Sequence, residues 1–550
     1  GGTYVAPNEA VCHQYVRENL AKPGMMILGS DSHTRYGQLG ALGIGEGGGE
    51  LVKQLLGDTY DVDAPEVVLV WVTGSLPDGV GPHDVAISMC AELFPDGRAK
   101  NKILEFAGPG LAALSLDYKT GIDVMTTETS CLSSIWATEH NAPLDGAGYD
   151  SYAELDLSTQ ESMIALPFHP SNAVTIRELN TDPERYLAPL GLSAKIRGGR
   201  VFADQGVIVG CSGGLTQLLT EASELLPDGR VAPEFDFSVY PASVEIELEL
   251  LRAGILERYL RYGAIVKPAF CGPCFGAGDT PIHGGLSVRH ATRNFPNREG
   301  SKPGDGQAAF VALMDAHSIA ATAANGGAIT GADAFAHIDY AALDSRAATL
   351  TLGPNITDWP EFPELPDDLT FEICASIHDD VTTTDELIPS GETSSYRSNP
   401  IKLAEFTLSR RCPDYVALSK SLRDGGQASG IFAAKPGDGS AREQAASCQR
   451  VLGGAANIAY EYATKRYRSN LINWGILPFT VDRDTWCAFD VGTTVYIPGI
   501  RKLVEDGARD IPAYVKECDV TRKITLHLHE MTTDERTILL AGCLMNRHRQ

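Results

Sequence analysis

Three cysteines have a spacing that could hold a metal centre. Cys271 and Cys274 lie in "FCGPCFGAG" (270–278), and Cys211 ends the strand-like stretch "GVIVGCSGG" (206–214), sixty residues upstream. A Cys-x-x-Cys pair by itself is compatible with a redox-active dithiol, half of a zinc site or part of an iron–sulfur site. The residues around each cysteine decide between these three kinds of site.

The sequence after Cys274 argues against a dithiol. A thioredoxin-type active site starts a long helix, whereas "FGAGDTPIHGG" (275–285) is rich in glycine and proline, which disfavour a helix. Zinc prefers four ligands, and no fourth cysteine has a similar context. Three thiolates suit a cubane cluster that leaves one iron without a cysteine. A zinc clip or a dithiol oxidoreductase remains the alternative that Cys-Gly-Pro-Cys alone supports.

A carboxylate, two hydroxyls and an imidazole follow the predicted strand 23–29. They are Asp31, Ser32, His33 and Thr34 in "GSDSHT". Functional loops of α/β folds lie at the carboxyl ends of strands, and these groups suit substrate recognition and acid–base chemistry. The alternative is an Asx or Ser/Thr turn that caps the next helix, and local physics favours it at least equally.

A glycine-rich loop late in the chain presents Ser440 and Arg442 just before a predicted helix. The stretch is "PGDGSAREQAASCQRVLGG" (436–454). Such a loop exposes backbone N–H groups and suits an anionic ligand. The alternative is an ordinary helix start, in which Ser440 is the N-cap and Glu443 completes a capping box. Both roles can hold together.

Three further features are ambiguous by themselves. His13 lies in the predicted helix 10–21, and Glu128 lies in "MTTETSCLSS"; neither has a neighbour that marks it as catalytic. "GIGEGG" (43–48) matches the dinucleotide-binding pattern G-x-G-x-x-G, which requires a strand directly before it. Because the predicted strand 23–29 ends well upstream, we interpret this segment as glycine-rich packing.

These groups must be positioned by alternating strands and helices. Short β-branched runs predict strands at 23–29, 65–74, 203–210 and 263–270, and apolar residues at i, i+3 and i+4 predict helices at 10–21 and 213–226. This alternation predicts α/β domains with parallel sheets.

The overall composition excludes some classes of partner. The 550 residues include 71 acidic and 45 basic residues, a formal charge of −26, which disfavours binding to nucleic acid or an anionic membrane. No apolar run reaches the roughly 20 residues that span a bilayer. The twelve cysteines are mostly scattered singly and form no disulfide framework, so we expect a reducing cytoplasm. The chain begins without methionine, and we expect further residues upstream.

The length predicts several domains, at roughly 100–200 residues each. The clearest boundary is "TLGPNITDWPEFPELPDDLT" (351–370), a linker with four prolines, five acidic residues and no helical or strand period. We place a first α/β domain at 1–90, a second at 91–190, a third with the three cysteines at 191–350, and a C-terminal domain at 371–550.

Taken together, the motifs resemble the aconitase family of iron–sulfur hydro-lyases over nearly the whole chain. The similar stretches are "HQYVRENLAKPGMMILGSDSHT" (13–34), "VGCSGG" followed by "CGPCFG", "TRNFPNREG" (292–300) and "GDGSAREQAA" (437–446). The Cys-Gly-Pro-Cys pair is unspecific, but four motifs in the family's order are highly specific. The resemblance implies three α/β domains around an iron–sulfur cluster and a C-terminal swivelling domain, with an N-terminal part absent.

The resemblance also implies a cofactor and a base. Cys211, Cys271 and Cys274 would hold a [4Fe–4S] cluster, whose fourth iron takes the carboxylate and hydroxyl of the substrate. That iron would act as a Lewis acid, which makes hydroxide a tolerable leaving group. Ser440 matches the serine that removes the carbon-bound proton. A free serine is a poor base, so it needs donors that stabilise its alkoxide, and Arg442 and the glycine loop are placed to supply them.

Other roles are carried over in the same way. His13 and Asp31 match groups that serve the departing hydroxyl, and His33 and Glu128 match the shell around cluster and substrate. The guanidinium fork of arginine pairs bidentately with carboxylates, so a locally basic pocket could bind an anion in this acidic protein. The implied substrate-binding residues are Ser32, Arg293, Arg298, Arg397 and Arg442.

The implied function is an iron–sulfur-dependent hydro-lyase or isomerase that dehydrates and rehydrates a hydroxylated di- or tricarboxylic acid. The expected partner is this small-molecule polycarboxylate, with no nucleic acid and no membrane, and the expected compartment is the cytoplasm. The alternative is a non-catalytic relative with a binding or regulatory role. Retention of the three cysteines and of Ser440, Arg442, Arg293 and Arg298 argues against that alternative.

Departures from the family pattern indicate an uncharacterised hydratase branch rather than a standard citrate aconitase. The upstream Asp-His pair of the family is not found, which we attribute to the start of the chain. The other departures are Ser212-Gly213-Gly214 for Thr-Asn-Ser after Cys211, Ala441 for a serine, Thr292 for an asparagine and Glu386 for a histidine.

Overall fold

The chain forms two compact units, Gly1–Thr349 and Leu350–Gln550. The computed structural model describes residues 2–138, 146, 148–300, 306–340, 352–389, 391–485, 487, 489–517 and 520–549. Both units mix helices with sheets, as predicted for an α/β protein. Within these residues, the helices are too short or too polar to cross a membrane.

The first unit alternates strands and helices along the chain. Its strands are β1 (Met26–Gly29), β2 (Leu42–Gly45), β3 (Val67–Thr73), β4 (Ile103–Ala107), β5 (Ser133–Trp136), β6 (Ser151–Asp156), β7 (Met163–Ala165), β8 (Ala173–Thr175), β9 (Ile196–Arg197), β10 (Arg200–Val201), β11 (Gln205–Ile208), β12 (Asp236–Val239), β13 (Ile265–Val266), β14 (Leu286–His290) and β15 (Phe310–Met314). Its helices are α1 (Cys12–Asn19), α2 (Gly48–Leu56), α3 (Pro82–Leu93), α4 (Leu116–Met125), α5 (Ile176–Thr181), α6 (Pro183–Leu187), α7 (Gly210–Gly213), α8 (Thr216–Glu224), α9 (Val244–Arg252), α10 (Ile255–Tyr262) and α11 (Ala316–Ala324).

The largest sheet of the first unit has seven strands in the order β13-β12-β11-β14-β15-β7-β8. The strands from β13 to β15 run parallel, and β7 and β8 add antiparallel pairs at the other edge. Strands β11 and β14 are buried along their whole length, as expected for parallel strands covered on both faces. The carboxyl ends of these central strands therefore open into loops at one edge of the sheet.

A second sheet has four parallel strands in the order β5-β4-β3-β6. Buried valines alternate along β3, which is the pattern of a strand that packs one face on helices. This sheet runs from residue 67 to residue 156 and so crosses the predicted boundary at residue 90. The division of the first unit into three domains stays a prediction.

The strands and helices predicted from the sequence occur, with shorter bounds. The four predicted strands are β1, β3, β11 and β13, and the two predicted helices are α1 and α8. Strand β13 has only two residues, because Pro268 follows shortly and supplies no backbone N–H for a ladder.

A strand that was not predicted, β2, lies at the start of the "GIGEGG" segment. Strand β2 covers the first glycines of the motif and pairs in parallel with β1, and α2 begins within it. Leu-Gly-Ile-Gly lacks the β-branched pattern that predicts a strand. The packing interpretation itself has support, because a Cβ at Gly43 would lie 2.7 Å from the carbonyl oxygen of Thr34 and one at Gly45 would overlap Asp31. These glycines let the Asp-Ser-His-Thr loop lie directly on β2.

The second unit is built on a closed barrel with strand order β16-β18-β20-β21-β24-β23-β22. The strands of the unit are β16 (Leu369–Ile377), β17 (Thr382–Thr383), β18 (Ala428–Ala433), β19 (Pro436–Asp438), β20 (Gly454–Ala459), β21 (Leu477–Thr480), β22 (Thr494–Ile497), β23 (Asp510–Glu517) and β24 (Val520–His527). Its helices are α12 (Thr384–Leu387), α13 (Pro400–Ala404), α14 (Tyr415–Asp424), α15 (Arg442–Val451), α16 (Lys465–Asn473), α17 (Ile500–Glu505), α18 (Thr533–Ala541) and α19 (Leu544–Arg549).

The predicted linker packs as part of the second unit. Residues 352–368 form no helix or strand, as expected from the four prolines. Phe362 and Leu365 are nevertheless buried, and the Leu365 N–H donates to the Leu540 carbonyl at 3.2 Å. Residues 341–351, at the predicted boundary, lie outside the described residues.

Candidate active site

The Cys211 loop meets the Cys274 loop at Gly210. Cys211 lies in the one-turn helix α7, directly after β11, and is 3% exposed. Gly210 has a φ of +83°, and a Cβ there would lie 3.0 Å from the Cys274 sulfur. Only glycine adopts this backbone conformation without strain and leaves room for the thiol. The two cysteine loops, sixty residues apart in the sequence, therefore come into contact at Gly210.

Cys274 lies on a 3₁₀ turn, Gly272–Phe275, after β13, and Cys271 is the N-cap residue directly before that turn. Strand β12 separates β13 from β11, and all three are parallel, so both cysteine loops leave the same edge of the sheet. No helix follows Phe275 among the described residues up to 300, as predicted from the glycines and proline there. The residues required for a thioredoxin-type dithiol are thus not arranged around this pair.

The thiols are buried or half-buried, and the charged groups near them include Asp31 and Arg17. Burial raises the pKa of Cys211 to about 12, with further contributions from Cys271 and Asp31, which Arg17 opposes. A hydrogen bond to Cys274 and burial raise the pKa of Cys271 well above its usual range, and Asp31 adds to this shift. Bringing three thiolates together at this point therefore requires a positively charged partner such as iron.

The donor set fits an iron–sulfur cluster. Three free cysteines converge from two loops, and Gly210 leaves a cradle that a Cβ would fill. A cubane cluster binds each cysteine to a different iron, and three cysteines leave one iron open. Across the described part of the chain, no group of three or more histidine, cysteine or acidic side chains is arranged around a single metal ion.

Asp31 is the centre of a hydrogen-bonded chain. One carboxylate oxygen, Oδ1, lies 3.1 Å from His13 Nε2 and 3.2 Å from His33 Nδ1, and it accepts from the His33 backbone N–H at 2.8 Å. These hydrogen bonds from His13 and His33 hold the pKa of Asp31 well below its usual range. On the far side of His13, Nδ1 lies 3.3 Å from the Tyr36 hydroxyl.

His13 is poised to carry a proton. Burial lowers its pKa, but the hydrogen bond to Asp31 and interactions with Cys12 outweigh burial, so the pKa is raised above the ordinary value. Asp31 and His13 together therefore form a hydrogen-bonded carboxylate–imidazole pair beside the cysteine loops.

The chain continues from His33 to Glu128 and Arg293. His33 Nε2 lies 2.8 Å from Glu128 Oε1, and Arg293 Nε donates to the same oxygen at 2.8 Å. Arg293 Nη2 donates to Ser32 Oγ at 2.9 Å, which returns the chain to the Asp-Ser-His-Thr loop. Six predicted site residues that are up to 280 positions apart are thus connected: His13, Asp31, Ser32, His33, Glu128 and Arg293.

Two residues that the sequence analysis missed hold this chain in place. Thr127 Oγ1 donates to the Ser32 carbonyl at 2.8 Å, so the 3₁₀ turn Thr126–Thr129 is tied to the loop. Arg35 is 2% exposed and donates to backbone carbonyls on three segments, including those of Gly43 and Cys131. The position of Arg35 directly after the Asp-Ser-His-Thr motif could have identified it as a site residue. No comparable sequence feature marks Thr127.

The backbone of Arg298 lies beside the loop that follows the cysteine pair. A Cβ at Gly276 would lie 2.6 Å from the Arg298 carbonyl oxygen, so the arginine segment packs on the loop two residues after Cys274. The Arg298 side chain is half-buried. Thr292, the departure before Arg293, is buried at 3% exposure and so faces the protein interior rather than solvent.

In the second unit, Ser440 ends the predicted glycine loop and is exposed. Gly437 and Gly439 have φ values of +100° and +130°, and Cβ atoms there would overlap Tyr467 and Thr384. The loop is therefore fixed by close packing at its glycines. Arg442 is half-buried at the first position of α15.

The capping box, which was the alternative interpretation at Ser440, does not form. The N-cap of α15 is Ala441, and no side chain caps the helix. The helix starts one residue later than the capping pattern requires, so the Ser440 hydroxyl is left free of that role. Glu443 is exposed, and partial desolvation of its carboxylate raises its pKa.

The remaining predicted residues of the second unit are Arg397 and Glu386. Arg397 is exposed and follows the 3₁₀ turn Ser394–Tyr396. Glu386, which stands where the family has histidine, completes a capping box with Thr383, its carboxylate accepting from the Thr383 N–H at 2.8 Å. Glu386 thus has a local structural role in the capping box at the start of α12.

Comparison with known proteins finds two matching family models. The model described as "Aconitase family (aconitate hydratase)" matches residues 1–143 and 140–326, more than half of the chain. The model described as "Aconitase C-terminal domain" matches residues 411–484. The first match contains the three cysteines, and the second contains Ser440 and Arg442.

Several individual proteins are similar as well. The chain is 31% identical over 329 residues to "3-isopropylmalate dehydratase large subunit" of Nitratidesulfovibrio vulgaris, covering 56% of this chain and 73% of the relative. It is 24% identical over 638 residues to "Putative aconitate hydratase, mitochondrial" of Aspergillus fumigatus, covering 98% and 77%. A solved structure, 3-isopropylmalate dehydratase (leuD) of Methanocaldococcus jannaschii, aligns with 24% identity and a TM-score of 0.25 over 33% of this chain and 93% of that one.

Proposed function

Because the chain belongs to the aconitase family and is a hydro-lyase, we propose that it holds a [4Fe–4S] cluster and interconverts a hydroxylated di- or tricarboxylic acid with its alkene. The predicted family, α/β fold class and enzyme class are confirmed by the family models and the named hydratases. The non-catalytic alternative is not favoured, since the relatives are named for dehydratase and hydratase activities.

The observation that carries the proposal is the convergence at Asp31. Its carboxylate is hydrogen-bonded to two histidines and lies close enough to Cys211 and Cys271 to raise the pKa of both thiols. This proximity supports a single site in the first unit for the proposed acid–base residues and the proposed cluster cysteines. When bound, a cluster on three cysteines supplies an open iron that acts as a Lewis acid toward carboxylate and hydroxyl oxygens.

The proton for the departing hydroxyl comes from the His13–Asp31 pair. His13 has a raised pKa and its ring is oriented by Asp31, 3.1 Å away. A positioned histidine of this kind, when protonated, donates a proton in the transition state, a contribution typically of about 10²–10⁴-fold. His33 holds the other side of Asp31 and links it to Glu128.

Arginine side chains bind the carboxylates of the substrate. The Nε and Nη2 groups of Arg293 are used by Glu128 and Ser32, which fixes the plane of its guanidinium. A fixed plane leaves the remaining Nη1 edge oriented for a carboxylate, and preorganisation lowers the entropy cost of binding. Arg298, Arg397 and Arg442 are the other proposed clamps.

Ser440 is the proposed base for the carbon-bound proton. Its hydroxyl is exposed and is not the cap of α15, so it is free to react. The tightly packed glycines before it fix the loop, and Arg442 two residues later supplies positive charge near an alkoxide. These features support the role that the resemblance gives to this serine.

The substrate class follows from the names of the relatives and from the arginines. The relatives are named for isopropylmalate and aconitate, which are di- and tricarboxylic acids. We propose that the C-terminal domain is supplied by this same chain, because the family's C-terminal domain model matches it and the Aspergillus relative aligns over 98% of it. The cytoplasmic location and the swivelling role of the second unit stay predictions.

The test is anaerobic reconstitution followed by a substrate panel. The chain is reconstituted with iron and sulfide, and 3-isopropylmalate, aconitate and related acids are assayed by the ultraviolet absorbance of the alkene. We expect turnover with at least one acid, and Ser440→Ala should reduce it by about 10² or more while the iron content stays unchanged. Ser409→Ala, an exposed serine in the same unit, is the control. Turnover that survives in Ser440→Ala contradicts the assigned base.

A further inference from the structure

A buried arginine, Arg289, is hydrogen-bonded to the loop that carries the cysteine pair. It projects from β14 and is 1% exposed, although its side chain is charged. Its Nη1 donates to the Pro273 carbonyl at 2.6 Å, and its Nη2 donates to the Asp279 carbonyl at 2.6 Å. The first carbonyl immediately precedes Cys274 and the second lies five residues after it. One guanidinium therefore spans the segment on both sides of this cysteine.

The guanidinium of Arg289 is itself held in a fixed orientation. Nε donates to Ser287 Oγ at 3.0 Å, and that hydroxyl donates to Gln205 Oε1 at 2.7 Å. Each of these residues lies on a central strand of the seven-stranded sheet. The sheet thus fixes the arginine, and the arginine fixes the loop.

The charge of Arg289 has no direct carboxylate partner. Its hydrogen bonds in the described part of the chain go to neutral carbonyl, hydroxyl and amide oxygens. The nearby Asp279 carboxylate is bound instead by Lys267 at 2.5 Å, by Ser238 and by Tyr240. Burying a cation without an ion pair is costly, so a compensating negative group is expected close by. The acidic groups close enough to favour the Arg289 charge include Cys274, Asp279 and Glu299, and of these Cys274 belongs to the proposed cluster site.

A second arginine, Arg17, has the same relation to the other cysteine loop. Its Nη1 donates to the Cys211 carbonyl at 2.9 Å and to Gln14 Oε1 at 3.3 Å. Its Nε and Nη2 are buried and make no hydrogen bond to the residues that the structure describes. Half of this guanidinium therefore lies without a hydrogen-bond partner there, beside the backbone of Cys211.

The positive charges of Arg289 and Arg17 offset negative charge that the proposed cofactor brings to the site. Three thiolates on a cluster bring net negative charge to a site that already contains Asp31 and Glu128, in a chain of formal charge −26. Cations placed behind the cysteines offset this charge without occupying the open iron. Carbonyl hydrogen bonds from the same groups hold the cysteine backbones at a fixed separation.

We propose, on the basis of the function above, that Arg289 and Arg17 are positioning residues that retain the iron–sulfur cluster through the backbone carbonyls beside Cys274 and Cys211. They act on the cysteine loops rather than on the substrate. Their loss should therefore change how long the cluster is retained before it changes anything else.

The test measures cluster retention in Arg289→Met, Arg289→Lys and Arg17→Met. Each protein is reconstituted anaerobically, iron and sulfide are counted, and the visible absorbance of the cluster is followed after addition of an iron chelator. We expect Arg289→Met and Arg17→Met to lose the cluster roughly tenfold faster than wild type, as outer-shell changes typically do. Arg289→Lys keeps the charge but not the two-carbonyl fork, so its rate should lie between wild type and Arg289→Met.

Arg450→Met is the matched control. Arg450 is also buried, at 9% exposed, and donates to the backbone carbonyls of Pro363, Gly454 and Gly542, but in the second unit. It should lower the melting temperature without changing the rate of cluster loss in the part of the population that is folded. Melting curves of the cluster-free proteins separate folding from retention. If Arg289→Met does not fold, the half-buried Arg17→Met, with fewer carbonyl bonds, decides the question.

Two results overturn this proposal while leaving the proposed function intact. One is wild-type retention in both Arg289→Met and Arg17→Met. The other is equally fast loss in Arg450→Met, which would make the effect general destabilisation. A wild-type protein that binds no iron and sulfide contradicts the proposed function itself, and the variants then have no bearing.

Discussion

At the scale of single residues, Asp31 connects the parts of the site. One of its oxygens is hydrogen-bonded to the rings of His13 and His33 and to the His33 backbone N–H. The charge of the same carboxylate adds to the raised pKa of Cys211 and of Cys271. A single carboxylate thus raises the pKa of His13 and adds to the negative charge at the cysteines. Neutralising it should change both properties at once.

Asp31→Asn is expected to lower the pKa of His13 and to reduce turnover by about 10² or more. The hydrogen bond from His13 to the Asp31 carboxylate is the largest contribution that offsets burial, so the His13 pKa should fall when that carboxylate is neutralised. The measurement is the pH titration of the His13 ring by NMR, together with the pH profile of turnover. Asp510→Asn is the control, since Asp510 bonds His527 at 2.9 Å on the exposed surface of the second unit. An unchanged His13 titration would contradict the pairing.

The residue types of the site could be predicted from the sequence, but their connection could not. Motif order identified Asp31, His33, Glu128 and Arg293 as candidates. The hydrogen bonds that join them cross 95 positions from His33 to Glu128 and 165 positions from Glu128 to Arg293, and no local period encodes such contacts. The structure assembles these residues in one chain; their chemical roles stay proposals.

At the scale of elements, the site depends on very short ones. The Cys211 loop is a four-residue helix, and Cys274 lies on a four-residue 3₁₀ turn. Such elements carry too few residues for hydrophobic periodicity to reveal them. The same limit explains the missed strand β2 and the displaced N-cap of α15, where one residue separates Ser440 from Ala441. Long, strongly patterned strands such as β3 were predictable.

Gly210→Ala tests the contact between the two cysteine loops. An alanine here is strained by the φ of +83° and would place its Cβ 3.0 Å from the Cys274 sulfur. We expect a loss of stability of about 1–2 kcal/mol from the backbone alone, and in addition a loss of bound iron. Iron content and thermal unfolding measure the two effects separately.

Gly24→Ala is the matched control for that variant. Gly24 has a φ of +79°, and a Cβ there would have no atom within 4 Å. It should cost a similar backbone strain and leave the iron content of the protein unchanged. Equal iron in the two variants would show that the Gly210–Cys274 contact has no part in cluster binding.

At the scale of the whole molecule, stability should depend on pH through a buried ion network behind the site. His317 Nδ1 lies 2.5 Å from Asp315, and its Nε2 lies 3.0 Å from Glu221. Burial lowers the pKa of His317, but the two carboxylates outweigh burial and raise it to about 10. The remaining titratable groups of this network are His83, Asp84, Tyr118 and His290.

The free energy of unfolding should therefore fall in alkaline solution. The stabilising charge on His317 is fully present below about pH 6.5 and is lost as pH rises toward about 10. His317→Gln leaves Asp315 buried without its partner, which should cost about 3–5 kcal/mol and remove this pH dependence. Hydrogen exchange of helix α11, measured from pH 6 to 10, is the readout. Equal slopes for wild type and variant would contradict the assignment.

Mössbauer spectroscopy of the chain reconstituted with iron-57, with and without a hydroxylated carboxylic acid, tests the central proposal most directly. With Cys211, Cys271 and Cys274 as the only protein ligands, one iron of four is open to the substrate. The expected spectrum shows one iron that differs from the other three and whose signal shifts when the acid binds. Four equivalent irons, or a spectrum that the acid leaves unchanged, would contradict an iron–sulfur hydro-lyase.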